Sequence, residues 1–510
     1  MTSETNTMQH QHPLPYNSNN NDNDENEIYL AAIEGGGTTF VVSIARVVKQ
    51  QQHEQQHNNN TLLQIGPTSL EILNTATFPP KDEISGVIPT WTPTQILDAV
   101  CAFLQEHRPS SPSSITTCAT NNDKPLTDDA AATPDTALLS VATSTGRYSA
   151  VGIATFGPAG VHRHKPNYGT ILAGSPKKEW RNVDILTPIR EACGFSNNMS
   201  SSSLSSGMDS RVRFDTDVNA PALAEFRHRN YLKQQQQQQQ QNNHPSPNAP
   251  SKHNSPTTFP PPPTTTPLTS LAYVTIGTGV GVGLIINSQP VHGLLHPEGG
   301  HVAICPLEQD TFTGYSWGKE RSPYAGVNTV EGVASSVALT ERYLQMKMED
   351  NDDDKTKQEK DVIAARHGDD DDANKNNNSS RSNENIDSNN TIDSNNAQTR
   401  ELLSTLPDSH PVWSHAANAI ANLCVSLLLL TSMQKIVLGG GIMKRYALYD
   451  MIRQRVWSIL NGYLDCVEEL SDVQQLDNVI VEGCWVKKNK LGSGLVGAYA
   501  LALDAYEESK

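Results

Sequence analysis

Twice in this chain a short apolar segment runs into a cluster of glycines and comes straight back out as a second apolar segment. The first instance spans residues 29–47 around Gly35, Gly36 and Gly37, and the second spans residues 271–286 around Gly277, Gly279 and Gly281. Runs of this length bounded by glycine read as paired strands joined by a tight turn. A turn stripped of β-carbons lets consecutive backbone N–H groups surround phosphate oxygens, and the hydroxyls of Thr38 and Thr278 add donors. Either turn taken singly is better read as a hairpin without a ligand, since glycine is the default turn residue. The spacing fits neither a Gly-Lys-Ser/Thr loop opening a helix nor a GxGxxG turn entering one, which disfavours both familiar nucleotide folds. A third cluster, Gly439, Gly440 and Gly441, follows an apolar strand at 435–438. Close backbone approach there suits a flat adenine ring or a ribose, and a plain strand-to-helix turn fits equally well.

The other patterned blocks alternate strand and helix. Residues 151–155 read as a strand ending at Phe156, Gly157 and Pro158, and residues 213–216 as a strand leading to Asp217. Helices are expected at 220–229 and 413–432. Between the blocks lie segments rich in Asn, Gln, Ser, Pro or Asp, at 1–27, about 49–60, 105–137, 196–210, 233–268 and 349–400. Such segments bury too little apolar surface to offset their ordering entropy, so they are expected to be disordered loops. Only 36% of the chain is hydrophobic, low for a wholly globular protein. Removing the padding leaves roughly 310 residues, about two small α/β domains.

Locating the net charge of −17 changes its meaning: residues 1–27 carry five acids and no base, and residues 349–400 carry 14 acids against 7 bases. Without a basic stripe, neither nucleic acid nor an anionic membrane is an expected partner. Seven cysteines with no CxxC pair suit reduced thiols in a cytoplasmic protein. No Lys or Arg precedes Arg46, so no leader peptide is expected. The longest apolar run, at 423–430, is too short to span a membrane and reads as part of a buried helix.

Asp217 ends a strand where the chain turns into a helix, a position from which a carboxylate can take a proton from an attacking hydroxyl. Helix capping explains an Asp there equally well. If the strand continues, Asp215 points to the opposite face, so only one of the two can meet a substrate. The segment 292–301 holds His292, His296, His301 and Glu298. Buried acceptors and donors of this kind suit adjacent sugar hydroxyls. A metal site competes as a reading, but residues 316–330 supply no Cys or His and Cys305 stands alone.

The three glycine turns, the Asp217 segment and the 296–301 run stand in an order that resembles the ROK family of sugar kinases and repressors, its fructokinase branch above all. The resemblance covers nearly all the patterned sequence from 28 to 507. It implies an actin-like ATPase fold of the ribonuclease H-like kind, with two α/β domains flanking a cleft. Residues 1–27 would form a disordered tail. Residues 28–220 would form the first domain, with inserts near 49–60, 105–137 and 196–210. Residues 221–484 would form the second, with inserts near 233–268 and 349–400, and a C-terminal helix within 485–510 would pack back on the first domain.

The resemblance further implies that Gly36, Gly37, Thr38 and Thr39 with Gly277, Thr278, Gly279 and Gly281 hold the phosphates of ATP. Gly439, Gly440 and Gly441 would hold its adenosine, Asp217 would be the catalytic base, and Mg²⁺ would accompany the nucleotide. Gly157, Pro158, Thr216, Asn219, Glu298, His301 and Glu331 would contact the sugar. Branch features are Thr216 directly before Asp217, Tyr168-Gly169, the stretch Ser175-Pro176-Lys177 through Trp180-Arg181-Asn182, and His296-Pro297-Glu298. The expected reaction is ATP-dependent phosphorylation of fructose at its 6-hydroxyl. The alternatives are a broader kinase of glucose, mannose or N-acetylhexosamine and a non-catalytic sugar sensor. Sugar and ATP are the expected partners, and a homodimer stays open.

Three departures from the family pattern carry expectations of their own. Ser322, Ala325 and Asn328 stand where the family has the Cys, His and Cys of a zinc loop, so no structural zinc is expected. Thr39 replaces the usual Lys after Gly-Gly-Thr, which weakens phosphate neutralisation. Leu491-Gly492-Ser493-Gly494 replaces a more polar sequence before the last helix.

Overall fold

The computed structural model describes residues 27–36, 39–48, 62–82, 88–109, 146–195, 210–243, 266–315, 322–350, 401–485 and 491–510. Most of the padding, together with Gly37 and Thr38, lies outside the described residues.

The first sheet contains β1 (Tyr29–Gly35), β2 (Phe40–Val48), β3 (Leu62–Ile65), β4 (Thr68–Phe78), β5 (Ala150–Thr155) and β6 (Val212–Thr216), in the order β3-β4-β2-β1-β5-β6. β2 and β4 run antiparallel to their neighbours, whereas β1, β5 and β6 are mutually parallel. The second sheet contains β7 (Leu271–Ile276), β8 (Val280–Ile286), β9 (Gln289–Pro290), β10 (Ile436–Gly439) and β11 (Ile480–Glu482), in the order β11-β10-β7-β8-β9. There β7 and β8 form the antiparallel hairpin, and β7, β10 and β11 are parallel. Setting β3 aside, both sheets follow one plan: an antiparallel three-strand unit whose first strand continues into two parallel strands. That duplicated plan is the actin-like, ribonuclease H-like fold.

Alternation along the strands distributes side chains between three apolar clusters. Ala31, Ile33, Val151 and Ile153 face α1 (Pro93–Glu106) and α2 (Leu186–Ala192), while Leu30, Ala32, Ala150 and Ala154 face the other way. In the second sheet Ala272, Val274, Ile276, Ile436 and Leu438 face the cluster built with α4 (Val330–Ala334), which precedes α5 (Ser336–Asp350), and with α6 (Val412–Thr431) and α7 (Ala447–Leu460). The inner cluster also takes Leu271, Tyr273 and Val437 from the second sheet, together with α3 (Asn219–Asn243) and α8 (Ser493–Glu508). α8 lies across β5 and β1 of the first sheet and against α3.

One difference from the sequence reading has a simple cause. α3 does not stop near residue 229 but continues through the glutamine run, since Gln is a good helix former and nothing there breaks the turn. α6 has the length and composition of a membrane span, yet most of it is buried inside the protein, where it packs against α7 and α4.

Candidate active site

Strand register decides which residues meet. Gly35, Thr155 and Thr216 are neighbours across the parallel strands β1, β5 and β6, so the first glycine turn, Phe156 and Asp217 all emerge from one edge of the first sheet. In the second sheet Thr275 pairs with Gly439, which sets the third glycine cluster beside the β7–β8 turn. Gly440 has a φ of +90°, and a β-carbon on it would lie 2.3 Å from the Ile276 carbonyl oxygen, so only glycine lets the two turns approach this closely. Open space lies where β-carbons of Gly277 and Gly441 would point. Ligands of parallel α/β sheets bind at this kind of edge, outside the carboxyl ends of the strands.

Asp217 is not the cap of α3. Thr216, 1% exposed, has its hydroxyl accept the Asn219 N–H at 3.1 Å, which leaves the Asp217 carboxyl free of that task. Burial lifts the Asp217 carboxyl to about 6, and the charge of Lys177 acts in the opposite direction. Asp215 turns the other way, as alternation requires. It is buried and accepts from the Thr216 N–H at 2.7 Å and from Asn219 Nδ2 at 3.1 Å, and it pairs with His292 Nε2 at 2.7 Å. Asn219 is fully buried, its Oδ1 accepting the Leu284 N–H at 3.2 Å. Thr216 and Asn219 are therefore buried at the end of β6, and Asn219 links Asp215 of β6 to Leu284 of β8.

The 296–301 segment lies close to the loop after β5. His296 Nε2 accepts the Ala159 N–H at 3.1 Å, just past Gly157 and Pro158, and burial lowers its pKa and favours neutral imidazole. The carboxyl of Glu298, on a side chain 44% exposed, is pushed up to about 7 by the enclosing walls and then by the charges of Glu331 and Asp217. Glu331 accepts the Val280 N–H at 3.0 Å, fastening the second glycine turn, and His301 lies 3.9 Å from Glu298 and 4.0 Å from Glu331. Asp217, Glu298, His301 and Glu331 thus lie near one another, with Glu331 bonded at the β7–β8 turn.

Two residues at the first turn were not among the expected site residues. Glu34, just before Gly35, has its carboxyl raised to about 7 by burial and by Asp217, while the Leu495 N–H at the start of α8 draws it down. A β-carbon on Gly494 would fall 2.2 Å from Glu34 Oε1, so the glycines of 492–494 make room for this carboxyl. Lys177 donates from Nζ to the Gly36 carbonyl at 3.0 Å and lies over the Phe156 ring, 3.3 Å from its centroid. Its ammonium is pushed down to about 7 by burial, with Asp217 opposing.

Among the described residues no group of three or more His, Cys, Asp and Glu could hold a metal ion unaided. Magnesium takes one or two carboxylates and completes its shell with substrate phosphates and water, and Glu34 beside Asp217 suits that requirement. The donors do not fit zinc: Ser322, Ala325 and Asn328 offer no thiolate or imidazole. Backbone bonds close that loop instead, from Ala325 N to Ser322 O at 2.9 Å, Asn328 N to Thr313 O at 2.7 Å and Ile304 N to Asn328 O at 2.8 Å.

Comparison with known proteins adds a second line. The ROK family profile matches residues 266–504. The chain is 25% identical over 394 residues to a fructokinase of Pediococcus pentosaceus, covering 76% of this chain and 95% of that one. It is 26% identical over 359 residues to a fructokinase of Zymomonas mobilis, covering 70% and 79%. Among solved structures, the ROK hexokinase from Thermus thermophilus aligns with a TM-score of 0.43 at 14% identity, over 94% of this chain and 99% of that one.

Proposed function

From the premise that this chain belongs to the ROK family, we propose that it is an ATP-dependent fructokinase, with Asp217 as general base for transfer of the terminal phosphoryl group to the 6-hydroxyl of fructose. What supports this reading is proximity: the charge of Lys177, at the first glycine turn, lowers the Asp217 carboxyl, and the charge of Asp217 in turn raises that of Glu298. Curated relatives named fructokinase favour fructose over other hexoses.

Phosphoryl transfer needs positioning and charge stabilisation more than covalent chemistry. The two glycine turns supply backbone N–H groups for the phosphates, and the cluster at Gly439, Gly440 and Gly441 supplies a flat face for adenosine. Glu298 and His301 hold sugar hydroxyls, while Glu331 keeps the second turn in shape through Val280. Asp217 accepts the hydroxyl proton as the oxygen attacks, and a carboxyl poised near 6 is ionised at neutral pH yet basic enough for the task. Glu34, together with the phosphates, would hold Mg²⁺, and the ion would supply charge stabilisation for the transferring group. Closure of the two domains over the cleft excludes water, the competing nucleophile.

A coupled assay with ATP and fructose, glucose, mannose or N-acetylglucosamine side by side tests the reading. Fructose should give the highest kcat/KM, with the phosphate found on the 6-hydroxyl by NMR. Preference for another hexose would move the protein to the broader kinase class, and no transfer to any sugar would end the proposal.

A further inference from the structure

Thr39 leaves the first glycine turn without the lysine that the family places there, so a cation must come from elsewhere if that turn is to hold a triphosphate. We propose that Lys177, from a loop far along the chain, is the phosphate-binding cation of the first turn and stands in for the missing lysine at position 39. This rests on the kinase reading above.

The loop is built to present that ammonium. Phe40 stacks on Trp180 at a centroid distance of 4.9 Å, and Phe156 meets Trp180 edge-on at 5.6 Å, giving an aromatic floor on which Lys177 lies. Ser175 Oγ accepts the Lys177 N–H at 3.3 Å, and Arg181 Nε donates to the Ser175 carbonyl at 2.7 Å, fixing the loop from both sides. The bond from Nζ to the Gly36 carbonyl takes one of the three ammonium protons and pins the group at the turn. Among the described residues no carboxylate forms an ion pair with Lys177. A half-buried ammonium facing a carbonyl and a ring, with a base nearby but not paired to it, is placed to meet an anion that arrives with the substrate. Position 39 belongs to the same turn, since the Gly36 N–H donates to the Thr39 carbonyl at 2.8 Å.

The test is Lys177→Met in the full chain, a substitution of similar length that removes the ammonium from the Gly36 carbonyl and the Phe156 ring. The expected result is a loss of about 100-fold in kcat, the effect of deleting one transition-state donor. Binding of ATP and ADP should weaken while binding of adenosine and of fructose is unchanged, and the melting temperature should hold. Lys177→Arg should recover part of the loss, and adding Thr39→Lys to Lys177→Met should restore about tenfold by returning a cation to the turn. Wild-type ATP affinity and turnover in Lys177→Met would overturn the proposal, as would equal weakening of adenosine and ATP. If the wild-type chain transfers phosphate to no hexose, the kinase reading fails, yet the contrast between ATP and adenosine binding still decides the role of Lys177.

Discussion

Protonation of Asp217 sets where the proposed chemistry should stop. Its carboxyl is lifted to about 6 and that of Glu298 to about 7, and both act in their ionised forms, so activity is present above these values and lost as pH falls through them. On the acidic limb kcat/KM for the sugar should fall about tenfold per pH unit as Glu298 protonates below about 7, and toward about 100-fold per unit once Asp217 also protonates below about 6. Glu298→Gln should make that limb shallower by removing one of the groups that protonate along it, and a profile flat down to about pH 5 would contradict the assignment. At this scale the sequence singled out residues where chemistry and motif coincide, as at Asp217, Glu298 and Glu331. It was silent on Lys177, because a cation 141 residues from its partner carbonyl leaves no trace in local spacing. Capping by Thr216 in place of Asp217 was equally hidden, since either side chain can reach the next N–H groups.

At the scale of elements, α8 is held at both its start and its middle by close approach. A β-carbon on Gly152 of β5 would fall 1.9 Å from the Ala498 carbonyl oxygen, against rigid helix backbone, whereas one on Gly494 would meet only the movable end of Glu34. Gly152→Ala should therefore destabilise by about 1–3 kcal/mol or more, read as a fall in melting temperature. Gly494→Ala should leave the melting temperature nearly unchanged and reduce turnover, because it displaces Glu34 from the start of α8. The reverse pattern would refute this account of the two glycines. The strands of the two glycine hairpins were legible from apolar runs bounded by glycine. β4 was not, since Glu71, Asn74, Thr75 and Thr77 interrupt its pattern and most of it lies at the surface. The glutamine run inside α3 shows the limit of composition as a guide: a low-complexity stretch that begins inside a helix can prolong it.

The whole molecule repeats one sheet plan twice around an inner apolar cluster, and its stability also rests on a charge buried away from the cleft. Asp310 accepts from Arg342 NH1 at 2.7 Å and NH2 at 2.9 Å, and it pairs with His415 at 3.0 Å; the Arg342 side chain is 2% exposed. Burial alone would raise the Asp310 carboxyl, but the hydrogen bonds and charge of Arg342 outweigh it and hold the pKa below its ordinary value. The stability this contributes is complete above an unfolded value of about 3.9 and fades as pH falls through the lower folded value. Asp310→Ala should cost about 3–5 kcal/mol in denaturant unfolding at neutral pH, because it leaves a buried guanidinium uncompensated. A loss well under 1 kcal/mol would show that Arg342 finds water or another acceptor.

At this scale the fold was readable because the glycine turns recur in order. The proximity of residues 217 and 298 was not readable from physics alone, since nothing local brings the two together. The most direct test of that arrangement is Asp217→Asn, assayed for turnover with ATP and for fructose affinity in the same preparation. Turnover reduced by at least about 100-fold with fructose affinity unchanged is the predicted result. Turnover near that of the unaltered protein would contradict the account.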